Sequence, residues 1–282
     1  MDGKVTVGTV KYLNAWPLTC GLEDHPDVVL RAEVPSALPG LLRAGEVDVA
    51  LAPSIEYFRL VAEGRERARA GGPRGFVALP VASVASHGAV GSVRLFGFVE
   101  PDKLRRVLLD PASRTSNALA QVLVIRQLKC RPHFALPQDA GPGSQRAPDA
   151  ELVIGDRALA DRRGDALWEL DLGREWNRMV HRPFVYAFWV ARADGPLERL
   201  VALLSEARDR GLADLDALAR RGAAQIGIAP EVAVQYLTQQ IHYDFGHKQQ
   251  DGLRAFYRMA AEEGLAPEGV RLRLYQAAGE DP

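Results

Sequence analysis

Along the chain, short apolar runs alternate with polar corners. The run Val5–Val10 is β-branched and closes on the corner Tyr12-Leu13-Asn14, with Pro17 behind it. It predicts a buried parallel strand that delivers Asn14 to a crevice, because ligands of open α/β sheets bind beyond the carboxyl ends of the strands. A plain first strand followed by an ordinary loop is the other reading of the same residues. Further strands are predicted over 27–34, 47–54, 90–99, 105–110, 151–154 and 183–192, and a short helix over 18–22. Residues 76–88 form an apolar run interrupted by Pro80 and ending in Ser86-His87-Gly88. Helical spacing marks 37–44, stopped by Gly45, and the stretch that begins at Ile55 with Ser54 as candidate N-cap. It also marks the segment after Ser113 and the amphipathic 171–180. The Arg- and Gly-rich segment 65–75 reads as an exposed loop, and so does 137–148.

After Asp194 the pattern is almost wholly helical to Glu263, with breaks expected at Gly211, Gly222, Pro230 and Gly246. Strands alternating with helices, then a helical C-terminal third, indicate an α/β protein with parallel sheets. The late helices must pack back on earlier elements. Two lobes crossed twice by the chain satisfy this, one built from 1–88 with 190–282 and the other from 89–189. The crossings are then expected near His87 and Trp189.

The composition is that of a globular protein: 282 residues, 47% hydrophobic and 25% charged, with a formal net charge of -1. No basic block marks a nucleic-acid or anionic-membrane surface. The N-terminus lacks the features of a secretory signal and no apolar run has the length of a membrane span, so cytoplasmic residence is the expectation. Cys20 and Cys130 have no CxxC partners. Of the six histidines only His242 and His247 are close, at a spacing that does not share a helix face, so no metal site is expected. His87 lies at an expected crossing, either lining a cleft or simply packed or exposed.

No nucleotide-binding or hydrolase signature is present, and no cofactor is expected. The strongest local candidate is the segment 110–119, DPASRTSNAL, where a strand ends and a helix begins. Ser113, Thr115 and Ser116 set three hydroxyls beside helix-start N–H groups, with Arg114 adjacent, an arrangement that suits a carboxylate or phosphate. Simple capping by one hydroxyl is the competing reading. Pro53-Ser54 and Gly155-Asp156 repeat the arrangement at two other strand ends, where Ser54 and Asp156 either bind ligand or only cap. With Asn14 and Ser86, these ends can converge on one cleft for a polar or dianionic small molecule.

The segments VGTVKYLNAWPL, SHGAVGSVRLF, LDPASRTSNALAQVL, LVIGDRAL and DLGREWNRMVHRPFVYAFWVAR occur in one order over about 5–257. In that combination the chain resembles the chorismate dehydratases of the futalosine route to menaquinone. The resemblance implies a two-lobed fold like type II periplasmic binding proteins. It also implies loss of water from chorismate to give 3-[(1-carboxyvinyl)oxy]benzoate, in the cytoplasm. It assigns a catalytic role to Asn14. It assigns substrate binding to Ser54, Ser86, Ser113, Thr115, Ser116, Gly155 and Asp156. Ala15-Trp16 and His181-Arg182 depart from the commoner family residues and bear on the cleft wall. Three alternatives stand beside this resemblance: a solute-binding protein with the same two lobes, the later dihydroxynaphthoate synthase of the same route with the same fold, and a cytoplasmic ligand-sensing lobe of a regulator. The first lacks its export signal here, the second its Ser-Pro-Cys-Pro-Asn type motif, and the third a DNA-binding module.

Overall fold

A computed structural model describes residues 3–69, 75–139, 147–161 and 163–276. The chain lays down β1 (Val5–Val10), β2 (Val28–Glu33), β3 (Val49–Pro53) and β4 (Phe76–Ser86). It then forms β5 (Val93–Gly97), β6 (Arg106–Leu108), β7 (His133–Ala135), β8 (Ala150–Ile154) and β9 (Trp168–Asp171), and returns with β10 (Phe184–Arg192). Two five-stranded sheets result, ordered β2-β1-β3-β10-β4 and β7-β6-β8-β5-β9. The helices are α1 (Leu38–Ala44), α2 (Ser54–Arg69), α3 (Arg114–Arg126), α4 (Asp156–Ala160), α5 (Leu172–Val180), α6 (Leu197–Leu212), α7 (Leu215–Ile226), α8 (Pro230–Gln235) and α9 (His247–Glu262).

Both sheets are mixed, not parallel. β1 is parallel to β2 and β3, but β10 runs antiparallel to β3 and β4. Likewise β6 is parallel to β7 and β8, whereas β5 opposes β8 and β9. The cause is the double crossing. β5 and β10 each arrive from the other sheet, so they start where neighbouring strands end. The return falls between Val180 and Phe184, ahead of the expected site near Trp189. Trp189 sits within β10, paired with Leu51 and fully buried.

Local chemistry explains most of the remaining departures. Residues 13–18 form a 3₁₀ helix, so the first helical turn starts at Leu13 and not at Leu18. β4 passes through Pro80 because it is an edge strand, and its register against β10 breaks between the Ala78 and Ser83 pairs. Its other edge is capped by the extended stretch after Gln240, through an Ala85–His242 bridge, and by a bridge from Ala78 to Leu274. α2 continues through Arg69, into the expected loop, because Glu, Arg and Ala are good helix formers. Residues 70–74 of that expected loop, and 140–146 of the second, lie outside the described residues. β9 is an addition to the predicted strands; its Trp168 ring packs against Gly97, where a Cβ would meet it at 1.9 Å.

α7 runs through Gly222 and ends at Gly227, which takes φ 72°. Gly222 is a packing position: a Cβ there would stand 2.2 Å from Leu13 Cδ1. At Gly211 a Cβ would meet the Pro17 carbonyl at 2.0 Å. These two glycines let α6 and α7 close on the 3₁₀ turn that carries Asn14, and in this way the helical C-terminal third supports the first sheet.

The first crossing is held by one carboxylate. Asp171, the N-cap of α5, accepts the backbone N–H groups of Val90, Gly91 and Arg174 at 2.7–3.1 Å. Asp171→Ala strands those donors and removes the cap, so unfolding free energy should fall by about 2–4 kcal/mol. A urea midpoint unchanged at constant slope would show that the carboxylate does not hold the crossing.

Candidate active site

The carboxyl ends of β1, β3, β4 and β8 and the start of β5 meet around a cleft. Its walls are apolar: Val10, Leu51, Val84, Ile154 and Ile241 among others. Its polar lining consists of Tyr12, Asn14, Ser92, Ser113, Ser116 and Tyr186. Lysine and arginine do not figure among the described lining residues.

Asn14 is placed by its backbone and by its amide. Leu13, buried beneath the corner, donates its N–H to both oxygens of Asp156 at 3.2 and 3.3 Å. Asp156 begins α4 in the second sheet's lobe, so this contact ties the corner across the cleft. The amide Nδ2 of Asn14 donates to the Tyr236 hydroxyl at 2.8 Å. Gly155, just before Asp156, takes φ 69° and faces the Tyr12 ring, which a Cβ would meet at 2.8 Å. Only glycine meets both conditions there.

Opposite lies the start of α3. Ser113 caps the helix, accepting from the Ser116 N–H at 3.2 Å, and its hydroxyl donates to Ser116 Oγ at 2.9 Å. Both hydroxyls line the cleft beside the positive end of a 13-residue helix. Thr115 does not: it is buried and accepts the Ile55 N–H at 3.3 Å, tying α3 to the start of α2. Arg114 reaches Glu56 at 3.7 Å. Ser54 is buried, is not part of the lining, and its hydroxyl lacks a hydrogen-bond partner among the described residues. Ser86 stands behind the lining, 3.1 Å from the Tyr186 hydroxyl. Close approach of Gly173 leaves room for that pair, since a Cβ would lie 2.7 Å from Ser86 Oγ.

The cleft thus gathers Asn14, Ser113, Ser116 and Gly155, while Ser86 contacts the lining residue Tyr186, Asp156 holds the Leu13 N–H, and Ser54 and Thr115 lie away from it. His87 is exposed and is not part of the lining. Sequence reasoning missed Tyr12 as a wall residue, Ser92, Tyr186 and Tyr236. Tyr186 sits in an aromatic strand whose simplest reading is core, and Tyr236 in a helical region without a local motif. A hydroxyl-bearing aromatic in an otherwise apolar run was the available signal. Among the described residues, no group of three or more His, Cys, Asp and Glu side chains stands as a metal cluster.

Burial dominates the electrostatics. It pushes the Asp156 carboxyl up to about 6 despite the Leu13 N–H, and the Tyr12 phenol, with help from Asp110 and Asp156, up to about 12. Burial also raises the phenols of Tyr186 and Tyr236, so both are neutral hydrogen-bonding groups at neutral pH. For Asp156 the folded value lies above the unfolded one of about 3.9. Its contribution to stability is therefore fully present below about pH 4 and is lost as pH rises through about 6. The stability of wild type minus that of Asp156→Asn should fall across that window and level off above pH 7. A difference constant from pH 4 to 7 in denaturant titrations would mean that Asp156 titrates as an ordinary carboxyl.

Comparison with known proteins agrees with this architecture. A chorismate dehydratase of Thermus thermophilus is 33% identical over 268 residues, covering 89% of this chain and 93% of that protein. A protein of Archaeoglobus fulgidus superposes with TM-score 0.69 at 16% identity, over 93% of this chain and 98% of that one. The periplasmic aliphatic sulphonate binding protein SsuA of Escherichia coli does so with TM-score 0.58 at 18% identity, over 100% and 99%. These structural likenesses establish a periplasmic-binding-protein-like fold. The family model described as menaquinone biosynthesis matches residues 5–262, and the chain belongs to that family.

Proposed function

We propose that this chain is a chorismate dehydratase, converting chorismate to 3-[(1-carboxyvinyl)oxy]benzoate and water in menaquinone biosynthesis, in the cytoplasm. The observation that carries the reading is Asn14, a neutral amide braced at the end of β1, facing the Ser113–Ser116 helix start across an apolar cleft. The relative from Thermus thermophilus supports the choice of substrate.

The chemistry suits so sparse a site. Chorismate loses the proton on ring C3 and the hydroxyl on C4, which leave together as water, and the ring becomes aromatic. The driving force is internal, and the ring carboxylate activates the C3 proton through the conjugated double bonds. The enzyme must hold two carboxylates in one pose and exclude competing reactions, so proximity and orientation supply much of the rate. One carboxylate is received by the start of α3, with the hydroxyls of Ser113 and Ser116. The Tyr186 hydroxyl, steadied by Ser86, offers a further polar contact, and Val10, Leu51 and Val84 pack the ring.

An amide is no base at neutral pH. Asn14 orients the departing hydroxyl or stabilises charge as it develops, while the substrate's own enolpyruvyl carboxylate takes the C3 proton and passes it to the hydroxyl leaving C4, so that water departs and the carboxylate is regenerated. Purified protein incubated with chorismate should accumulate the aromatic enol ether at catalytic turnover, followed by chromatography and mass. Asn14→Ala should lower kcat about 100-fold, the scale of losing one hydrogen-bonding group to a developing charge. Tight binding of chorismate without turnover would point instead to a sensor or binding protein. Neither binding nor product would direct attention to the later synthase's substrate.

A further inference from the structure

α8 does not end as an α-helix. It passes into a π-helical turn, Tyr236–Gln240, in which the Ile241 N–H reaches back to the Tyr236 carbonyl at 3.0 Å. Such turns insert a residue into a helix and are frequent at functional sites. This one contributes Ile241 to the cleft wall and sends the fully buried Tyr236 ring beneath Asn14. The phenol oxygen accepts from Asn14 Nδ2 at 2.8 Å and donates to Ser92 Oγ at 2.8 Å.

Ser92 opens β5 on the far side of the cleft, is itself buried, and its carbonyl accepts the Gly155 N–H at 2.8 Å. The chain of contacts Asn14–Tyr236–Ser92–Gly155 thus runs from the first sheet to the second, alongside the Asp156 grip on Leu13. With one N–H committed to Tyr236, the Asn14 amide keeps Oδ1 and its second N–H for a ligand.

We propose that Tyr236, backed by Ser92, is a positioning residue that holds the Asn14 amide in its productive orientation. The proposal rests on the catalytic reading of Asn14 given above. Tyr236 contacts Asn14 and is not among the residues that line the cleft. Its hydroxyl acts by restricting rotation about the Asn14 side chain, so its loss affects the chemical step more than binding.

Tyr236→Phe keeps the ring and removes only the hydroxyl. It should lower kcat about tenfold or more while KM moves less than about threefold, as expected when an interaction made chiefly in the transition state is lost. In an Asn14→Ala background, where there is no amide to orient, the same change should lower residual turnover no further. Ser92→Ala provides a second variant independent of the Tyr236 ring and should shift kcat in the same direction. A wild-type kcat in both Tyr236→Phe and Ser92→Ala, with Asn14→Ala impaired, overturns this proposal and leaves the Asn14 reading standing. An equal fold-loss from Tyr236→Phe in both backgrounds also overturns it, because a merely structural role acts regardless of residue 14. Full turnover by Asn14→Ala overturns the Asn14 reading, and this proposal with it.

Discussion

Strand direction at the cleft is the constraint on which the remaining structure depends. β1, β3 and β4 end at the cleft in the first sheet, and β6 and β8 end there in the second. A chain that leaves one sheet at the cleft must enter the other at the cleft, so β5 and β10 run against their neighbours. Mixed sheets arise without any special propensity. The same geometry draws small polar corners from distant parts of the sequence to one place, because each corner is simply the turn after a strand that ends there.

The crossing also explains how precise placement is obtained from few groups. Asn14 lies on a short 3₁₀ turn that is fixed from several directions. Asp156 holds the backbone ahead of it, Tyr236 holds its amide, and Gly211 and Gly222 admit α6 and α7 against the turn. Each support comes from a different part of the chain. The corner's supports therefore exist only in the assembled molecule.

The electrostatic character of the cleft is also a consequence of burial. Neutral phenols, serine hydroxyls and a helix start provide the polar lining, without lysine or arginine among the described lining residues. Asp156, whose carboxyl burial pushes up to about 6, accepts the backbone N–H of Leu13 at the corner.

By itself, the sequence determined the elements that rest on local periodicity and the motifs that rest on residue identity. The β-branched run of β1, the Gly45 cap of α1, the Ser113 start of α3 and the Tyr-Leu-Asn corner were all legible, because each depends on neighbours within a few residues. Boundaries that depend on partners were not. β4 crosses Pro80 because it is an edge strand, and α7 continues through Gly222 because Leu13 needs the space. Tertiary structure alone decided which polar groups reach the cleft. It turned Thr115 toward the start of α2 and Asp156 toward Leu13, and brought Tyr236 to Asn14 across 222 residues of chain. A hydroxyl's partner depends on where the backbone runs in space, and no local pattern encodes a contact made at that separation.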